Sequence, residues 1–292
     1  MRVFILALDG LDQDLTAKWK LRNLLQKTHG KILLSKDYCI ESKPVWASEE
    51  ATEEVPFTPI VWTSFITGKH PSQHNIRSLW TYGKFLDKIR GLPLIRHIKG
   101  KRKILARLGI TPGSPQKNDL GFPTIFDVIK PSIAVWVVAY NEPKAFRWEI
   151  SKAGKEGLNH LEKIVWKIHK ERVKETFKQL NSGNWKLFMT YFELADLMGH
   201  IYIVKNPRKL KMYYRILDSL AYSLKEKVED ENTIFLIVSD HGMKPSCDGV
   251  TGNHSMEAFW SLNIETEWKP NSITDFFYKI YEWINTGITG NL

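Results

Sequence analysis

Four short apolar runs constrain the fold of this chain more than any other feature of its sequence. Each run stops at a polar or glycine-containing turn, and the four span residues Val3 to Leu8, Ile133 to Ala139, Leu187 to Phe192 and Ile234 to Val238. Runs of this length that are apolar on both faces are typical of strands in a sheet covered on both sides. Segments with helical spacing of apolar residues, 157–180 and 212–228, precede the last two runs. The alternation predicts an α/β fold, with a doubly wound, mainly parallel sheet and helices on both faces.

Length and composition fit a single large domain over residues 1–292. The chain is 43% hydrophobic and 12% aromatic, which excludes a disordered or fibrous protein. The stretch 80–122 breaks the alternation and is rich in Lys, Arg, Gly and Pro. We interpret it as a small basic cap insertion within the domain. Residues 271–284 have the spacing of an amphipathic closing helix.

The charge of the chain points to an anionic partner. With 42 Lys and Arg against 32 Asp and Glu, the formal net charge is +10. Such an excess suits a nucleic acid, an anionic membrane surface or a small anionic substrate, and charge alone does not separate the three. Cys39 and Cys247 have neither zinc-ribbon nor disulfide-framework spacing. No segment has the length of a membrane span or of a signal-peptide core, so we expect a cytoplasmic protein.

Carboxylates and imidazoles follow three of the four apolar runs. The carboxyl ends of parallel strands meet at one edge of a sheet, where ligands bind. Carboxylate oxygen and imidazole nitrogen are the ligands that Zn²⁺ or Mn²⁺ takes when thiolates are missing, and six of them suffice for two ions. Each residue alone has a simpler interpretation as a turn former, an ion pair or a loop histidine. Their joint occurrence in four segments favours a metal site, with these candidate ligands: Asp9, Asp196, His200, Asp240, His241 and His254.

A candidate nucleophile lies in a separate segment. Thr58 precedes Pro59, a residue suited to the first turn of a helix, whose N-terminal N–H groups attract anions. A threonine hydroxyl is unreactive until a base or a metal ion lowers its pKa. Thr58 would therefore need the metal cluster in order to react. The alternative is that Thr58 only caps the helix.

Together these motifs resemble the alkaline phosphatase superfamily, and most closely its type I phosphodiesterase/nucleotide pyrophosphatase branch. The resemblance rests on five motifs in the family's order. They are Asp9-Gly10, Thr-Pro-x-x-Trp-x-Ser-x-x-Thr-Gly-x-x-Pro-x-x-His from Thr58 to His74, Asp196-x-x-Gly-His200, Asp240-His241-Gly242 and Gly252-x-His254.

The resemblance implies a metal-dependent hydrolase of phosphodiesters or nucleotide pyrophosphates. Its substrate would be a small anionic molecule that contains phosphate, and Thr58 would form a phospho-enzyme intermediate. Two divalent ions are implied, with Zn²⁺ favoured and Mn²⁺ or Fe²⁺ as alternatives. One ion would be held by Asp9, Asp240 and His241 beside Thr58, and the other by Asp196, His200 and His254.

One position departs from the family pattern and leaves the substrate class open. Where relatives carry an Asn that holds a phosphate oxygen, this chain has Leu79, so Asn75 and Arg77 are candidate substrate-binding replacements. A phosphomonoesterase or a phosphonate hydrolase of the same superfamily remains an alternative. A basic nucleic-acid or anionic-membrane binding protein that retains the fold is the alternative of another class, supported by the basic stretch 84–107. The complete set of ligands and nucleophile favours the enzyme.

Overall fold

The computed structural model describes residues 1–42, 52–91, 104, 105 and 107–286. Its strands are β1 (Arg2–Leu8), β2 (Thr28–Leu33), β3 (Cys39–Ser42), β4 (Glu53–Pro56), β5 (Ser132–Val135), β6 (Leu187–Phe192), β7 (Thr233–Val238), β8 (Gly242–Pro245), β9 (Gly252–Ser255) and β10 (Glu257–Leu262). Its α-helices are α1 (Gln13–Lys18), α2 (Thr58–Thr67), α3 (Pro71–His74), α4 (Lys84–Gly91), α5 (Ile125–Val128), α6 (Lys144–Glu156), α7 (Leu158–Ser182), α8 (Leu194–Tyr202), α9 (Pro207–Val228) and α10 (Asp275–Thr286). Short 3-10 helices span Lys36–Tyr38 and Lys117–Asp119.

A six-stranded sheet in the order β2-β10-β7-β1-β6-β5 forms the centre of the molecule. β5, β6, β1 and β7 are parallel neighbours, and they correspond to the four apolar runs of the sequence. β10 and β2 add an antiparallel edge that the sequence did not predict. The predicted fold class, a mainly parallel α/β sheet, is confirmed.

Both faces of β1 are buried, which explains why its sequence is apolar without alternation. Val3, Ile5 and Ala7 face one core, packed against α2 and α10, and the intervening side chains face the other core, packed against α7 and α9. Helices therefore cover the sheet on both sides, as the continuous apolar runs predicted. Two small antiparallel ribbons, β3–β4 and β8–β9, lie outside this sheet.

Some element boundaries differ from the sequence prediction. The second apolar run was expected to be extended as far as Ala139, but β5 ends at Val135 because the next residue, Trp136, has a positive φ of 52°. Ala139 also has a positive φ, of 58°. The closing helix begins at Asp275, four residues later than predicted. The Asp275 carboxylate accepts hydrogen bonds from the backbone N–H groups of Asn271 and Ser272, so these residues form the turn before the helix.

The predicted cap insertion is described only in part. α4 lies within it, and Thr81 pairs with Gly113 across it in an isolated bridge. The central basic residues of the stretch, including Lys99, Lys101, Arg102 and Lys103, lie outside the described residues, so the cap remains a prediction. Among the residues that the structure describes, no helix combines the length and apolar character needed to cross a bilayer.

His169 on α7 provides a test of the packing between the helices and the sheet. Its ring stacks on Trp166 with centroids 5.3 Å apart and contacts Phe192 at the end of β6. Burial, aided by the positive charge of Arg172, lowers the pKa of His169 from 6.5 to about 4. The folded protein therefore holds this imidazole neutral under conditions in which the unfolded chain protonates it.

We predict that His169 makes the folded state sensitive to mild acid. The contribution of the neutral His169 ring to the free energy of unfolding is fully present above about pH 6.5. It is lost as the pH falls towards 4, because only the unfolded chain takes up the proton in this range. In urea unfolding with a chelator present, His169→Leu should reduce the loss of stability between pH 7 and pH 5 by about 2 kcal/mol. The exposed His160→Leu should lose as much stability as the unmodified protein. Parallel pH profiles for all three proteins would contradict the prediction.

Candidate active site

The end of β1 brings two of the candidate ligands together. Asp9 directly follows β1, and its backbone carbonyl accepts a hydrogen bond of 3.0 Å from the backbone N–H of Asp196 on α8. Gly10 allows this approach, since it has a φ of 68° and any Cβ there would lie 2.6 Å from Cα of Asp196. The Asp9-Gly10 pair of the sequence is thus a geometric requirement for placing these two aspartates side by side.

A first cluster contains Thr58, Asp9, Asp240 and His241. Nε2 of His241 lies 3.3 Å from Oδ1 of Asp9 and 3.3 Å from Oδ2 of Asp240. The hydroxyl of Thr58 lies 3.4 Å from the same nitrogen and 3.5 Å from Oδ1 of Asp9. The three acidic and imidazole groups form one of the arrangements in the described chain that could hold a metal ion.

A second cluster contains Asp196, His200 and His254. Oδ1 of Asp196 lies 3.2 Å from Nε2 of His200 and 3.2 Å from Nε2 of His254, and the two nitrogens are 3.0 Å apart. The His254 ring also stacks on the His241 ring with centroids 3.6 Å apart, so the two clusters are contiguous. Asp196, His241 and His254 form a further arrangement that could hold an ion.

Hydrogen bonds on the far side of the rings orient the imidazoles. Nδ1 of His200 lies 2.7 Å from the carbonyl oxygen of Gly252, and Nδ1 of His254 lies 2.7 Å from that of Pro56. A carbonyl can only accept, so each Nδ1 carries a proton and, in the neutral ring, each Nε2 presents a lone pair to Asp196. This is the arrangement typical of histidines that ligate metals.

The donor set fits divalent ions. Oδ1 of Asp196 and Oδ2 of Asp240 are buried and have no hydrogen-bond partner among the described residues, although each faces an imidazole Nε2. Zinc bonds to oxygen and nitrogen are about 2.0 Å long, so neighbouring ligands of a tetrahedral ion lie about 3.3 Å apart. The separations within the second cluster, 3.0 to 3.2 Å, are close to this value.

Crowding of these groups shifts their pKa values in opposite directions. Burial raises the pKa of Asp240, and the negative charge of Asp9 raises it further. Burial alone would lower the pKa of His241, but Asp240 and Asp9 raise it to about 10. Burial likewise opposes the charged form of Asp196, yet His200 and His254 hold its pKa well below the usual range. The buried carboxylates therefore require nearby positive charge, which protons or metal ions can supply.

The environment of Thr58 differs from that of a capping residue. The N-cap of α2 is Phe57, and the Thr58 hydroxyl faces Asp9 and His241 from the first turn. Thr58 is 6% exposed and lies against a cavity of about 350 Å³. The other residues that line this cavity are Asp9, Ile40, Ser42, Val55, Phe57, Leu79, Trp80, Arg147, Ile150, Ser151, Asp196, Leu197, His200, Asn253 and His254.

The two candidate substrate-binding residues of the sequence lie elsewhere. Asn75 is the C-cap residue that follows α3, with a φ of 55°. Neither Asn75 nor Arg77 is among the residues that line the cavity. Leu79 does line the cavity, so an apolar side chain occupies the position where the family pattern led us to expect an Asn. The assignment of Asn75 and Arg77 as substrate-binding residues therefore has no support from the cavity.

Several buried polar residues beside the cavity were not predicted from the sequence as functional residues. Tyr191 on β6 donates a hydrogen bond to Asp9, and Arg147 on α6 approaches the Tyr191 hydroxyl. Glu193 directly follows β6. This position is a signal present in the sequence, because Asp9 and Asp240 were selected as acidic residues that follow a strand. Nothing in the local sequence of Arg147 distinguishes it from a surface residue.

Comparison with known proteins identifies one family. The model of the family described as type I phosphodiesterase/nucleotide pyrophosphatase matches residues 119–277, slightly more than half of the chain. The match includes five of the six candidate ligands and leaves Asp9 and Thr58 outside. None of the curated proteins matches the chain.

The solved structures that the chain is similar to include two of low sequence identity. The mouse ectonucleotide pyrophosphatase/phosphodiesterase 5 is 15% identical, with a TM-score of 0.45, and the comparison covers 84% of this chain and 58% of that one. The phosphonoacetate hydrolase of Sinorhizobium meliloti, in complex with phosphonoformate, is 14% identical with a TM-score of 0.47, covering 86% of this chain and 59% of that one. The chain thus spans less than two thirds of either protein's length.

We predict that removal of His200 weakens metal binding at the second cluster. Loss of an outer hydrogen-bond partner already costs metal sites 10- to 100-fold in affinity, so His200→Ala should lower the affinity for one equivalent of Zn²⁺ by more than about 100-fold. Native mass spectrometry with a chelator titration measures both stoichiometry and affinity. His160→Ala, which removes an exposed histidine paired with Glu156, is the control. Equal zinc binding by both variants would refute the assignment.

Proposed function

The chain belongs to the type I phosphodiesterase/nucleotide pyrophosphatase family, and on this premise we propose that it hydrolyses phosphodiester or nucleotide-pyrophosphate bonds with Thr58 as the nucleophile. The observation that carries the proposal is the position of the Thr58 hydroxyl. It lies 3.5 Å from a carboxylate oxygen of Asp9 and 3.4 Å from Nε2 of His241, at the start of α2 and against a cavity. The family to which the chain belongs consists of hydrolases. The nucleophile and the ion sites are our own assignment.

We assign two ion sites to the six candidate ligands. Asp9, Asp240 and His241 would hold one ion beside Thr58, and Asp196, His200 and His254 would hold the other. Zn²⁺ fits best, because the set consists of imidazoles and carboxylates with separations close to those of a tetrahedral shell. When bound, the ions would supply positive charge that stabilises the phosphoryl oxygens and lowers the pKa of the attacking hydroxyl.

Thr58 attacks the phosphorus in line. A bond forms between its Oγ and phosphorus while the bond to the leaving oxygen breaks, and the departing alcohol or phosphate takes up a proton. Phosphorus still carries the other ester group at this stage. Water then attacks it from the opposite side, the bond between phosphorus and Oγ breaks, Oγ recovers its proton, and a phosphomonoester is released. Two inversions give net retention at phosphorus. As in other phosphoryl transfers, positioning and neutralisation of charge would provide most of the rate enhancement.

The walls of the cavity suit a substrate with an apolar or aromatic portion. Phe57, Leu79, Trp80 and Ile150 are among the residues that line it. Trp80 is braced edge-on against Trp148, with ring centroids 4.8 Å apart. A flat group attached to the phosphate, such as a nucleobase or a nitrophenyl ring, could pack against Trp80.

We predict that Thr58→Ala abolishes hydrolysis without abolishing metal binding. Loss of a nucleophile typically costs at least about 10³-fold in kcat, measured here with bis-p-nitrophenyl phosphate and added Zn²⁺ or Mn²⁺. Thr58→Ser should retain activity because it keeps the hydroxyl. After an acid quench, mass spectrometry should find one p-nitrophenyl-phosphoryl group on the peptide that contains Thr58, because only one of the two ester groups leaves in the first step. Turnover that survives Thr58→Ala or a chelator would refute the mechanism.

The same assay with p-nitrophenyl phosphate distinguishes the alternatives. Faster turnover of this monoester than of the diester would favour a phosphomonoesterase. Hydrolysis of neither substrate, combined with tight binding to polynucleotide or anionic vesicles, would favour the basic binding protein.

We predict that Trp80→Ala raises KM for aromatic diesters and leaves kcat nearly unchanged. The ring would contact ground state and transition state equally, so its loss removes uniform binding. The expected rise for bis-p-nitrophenyl phosphate is roughly tenfold, or about 1.4 kcal/mol, and smaller for methyl p-nitrophenyl phosphate. Tyr222→Ala removes an exposed aromatic residue on α9 and should change neither constant. A fall in kcat alone would contradict this role of Trp80.

A further inference from the structure

Tyr191 is a buried phenol that contacts a proposed metal ligand. It lies next to the last residue of β6, in register with Ala7 of β1, and its side chain is 0% exposed. Its hydroxyl donates a hydrogen bond to Oδ2 of Asp9. The other oxygen of the same carboxylate, Oδ1, is the atom that faces Thr58 and His241.

The direction of this hydrogen bond follows from the neighbouring donor. Nη2 of Arg147 lies 3.4 Å from the Tyr191 oxygen. A guanidinium group can only donate, so the phenol oxygen accepts from Arg147 and its own proton is left for Asp9. Arg147 thereby fixes which partner the Tyr191 proton faces.

The Tyr191 ring is held on both sides. Trp62 of α2 contacts it edge-on, with centroids 5.8 Å apart and an interplanar angle of 86°. The guanidinium carbon of Arg172 lies 5.0 Å from the ring centre. A ring packed in this way has little freedom to rotate, so the hydroxyl stays directed at Asp9.

A buried network of four charges holds Arg147. Its guanidinium contacts Glu142 at 2.8 Å and Glu193 at 3.0 Å. Arg172 contacts Glu142 at 2.7 Å, so two cations balance two carboxylates. Because each buried charge has a partner, the network resists movement of any one of its members.

We propose that Tyr191 is a positioning residue that reserves Oδ2 of Asp9 for the protein, so that Asp9 presents only Oδ1 to the first ion site. Asp240 shows the same division, since its Oδ1 accepts from the backbone N–H of Gly10 at 3.3 Å while its Oδ2 faces His241. This inference rests on the proposed metal site and adds the way in which one ligand is oriented.

Removal of the Tyr191 hydroxyl would leave Oδ2 of Asp9 without this donor. The carboxylate could then turn, or offer both oxygens to one ion. Either change alters the geometry of the site before any substrate binds. The test therefore measures metal binding rather than turnover.

The experiment compares Tyr191→Phe with the unmodified protein, both stripped of metal. Competition with a chromogenic chelator should show an affinity for Zn²⁺ that is 10- to 100-fold lower in the variant, the usual cost of losing an outer-sphere partner. Loaded with Co²⁺, the variant should absorb less in the visible region, because a second carboxylate oxygen raises the coordination number.

Tyr213→Phe is the matched control. Tyr213 is also buried, and its hydroxyl also donates to a carboxylate, that of Glu162, away from the proposed ligands. This variant should keep the zinc affinity and the Co²⁺ spectrum of the unmodified protein. If Tyr191→Phe folds and behaves like Tyr213→Phe in both measurements, the positioning role is refuted while the metal site stands. If the unmodified protein binds no metal, both proposals fail.

A second variant covers the case in which Tyr191→Phe does not fold. Arg147→Lys keeps a positive charge near Glu142 and Glu193 but replaces the forked donor with a single amine. We expect the zinc affinity to fall by at least about threefold, since the phenol loses the donor that sets its direction. An unchanged affinity in this variant would overturn the proposal.

Discussion

The parallel register of β1 between β6 and β7 is the constraint on which the site depends. Leu8 is opposite Phe192 and Ala7 is opposite Val238, so the three strands end within one residue of each other at the same edge of the sheet. The residues that follow them are therefore neighbours although they are far apart in sequence, with 230 positions between Gly10 and Asp240. Gly10 completes the constraint, because its missing side chain leaves room for the start of α8.

Packing energy from both cores offsets the cost of this arrangement. The site concentrates buried carboxylates and imidazoles that would be unfavourable in isolation. β1 has apolar contacts on both faces, and its strand end cannot move without disturbing both cores. In the same way, ribbon β8–β9 holds His254 against the carbonyl of Pro56 and thereby directs its Nε2 to Asp196. The fold thus holds these groups in place before any ion or substrate arrives.

The sequence was most informative where residue type and strand end coincide. Each of the six candidate ligands follows a buried strand or lies on an adjoining ribbon, and the structure brings all six into two contiguous clusters. Prediction was weaker where backbone conformation is set by tertiary contacts. Trp136 has a left-handed φ in the middle of an apolar run, and β10 pairs antiparallel to its neighbours, without a local signal for either. The residues that could contact a substrate were the hardest to predict from the sequence, because the cavity walls come from segments that are distant along the chain.

The α/β class, the four parallel strands, the motifs that point to the family and the residue types of the site could all be inferred from the amino-acid sequence. Hydrophobic periodicity and strand ends are local properties, and they can be read without knowing what packs against them. Two relations became visible only in the folded chain. Tyr191 donates to Asp9 and accepts from Arg147, and Leu79 rather than Asn75 or Arg77 lines the cavity. These relations depend on which faces of distant elements meet, because a buried polar side chain acquires its role from its partners.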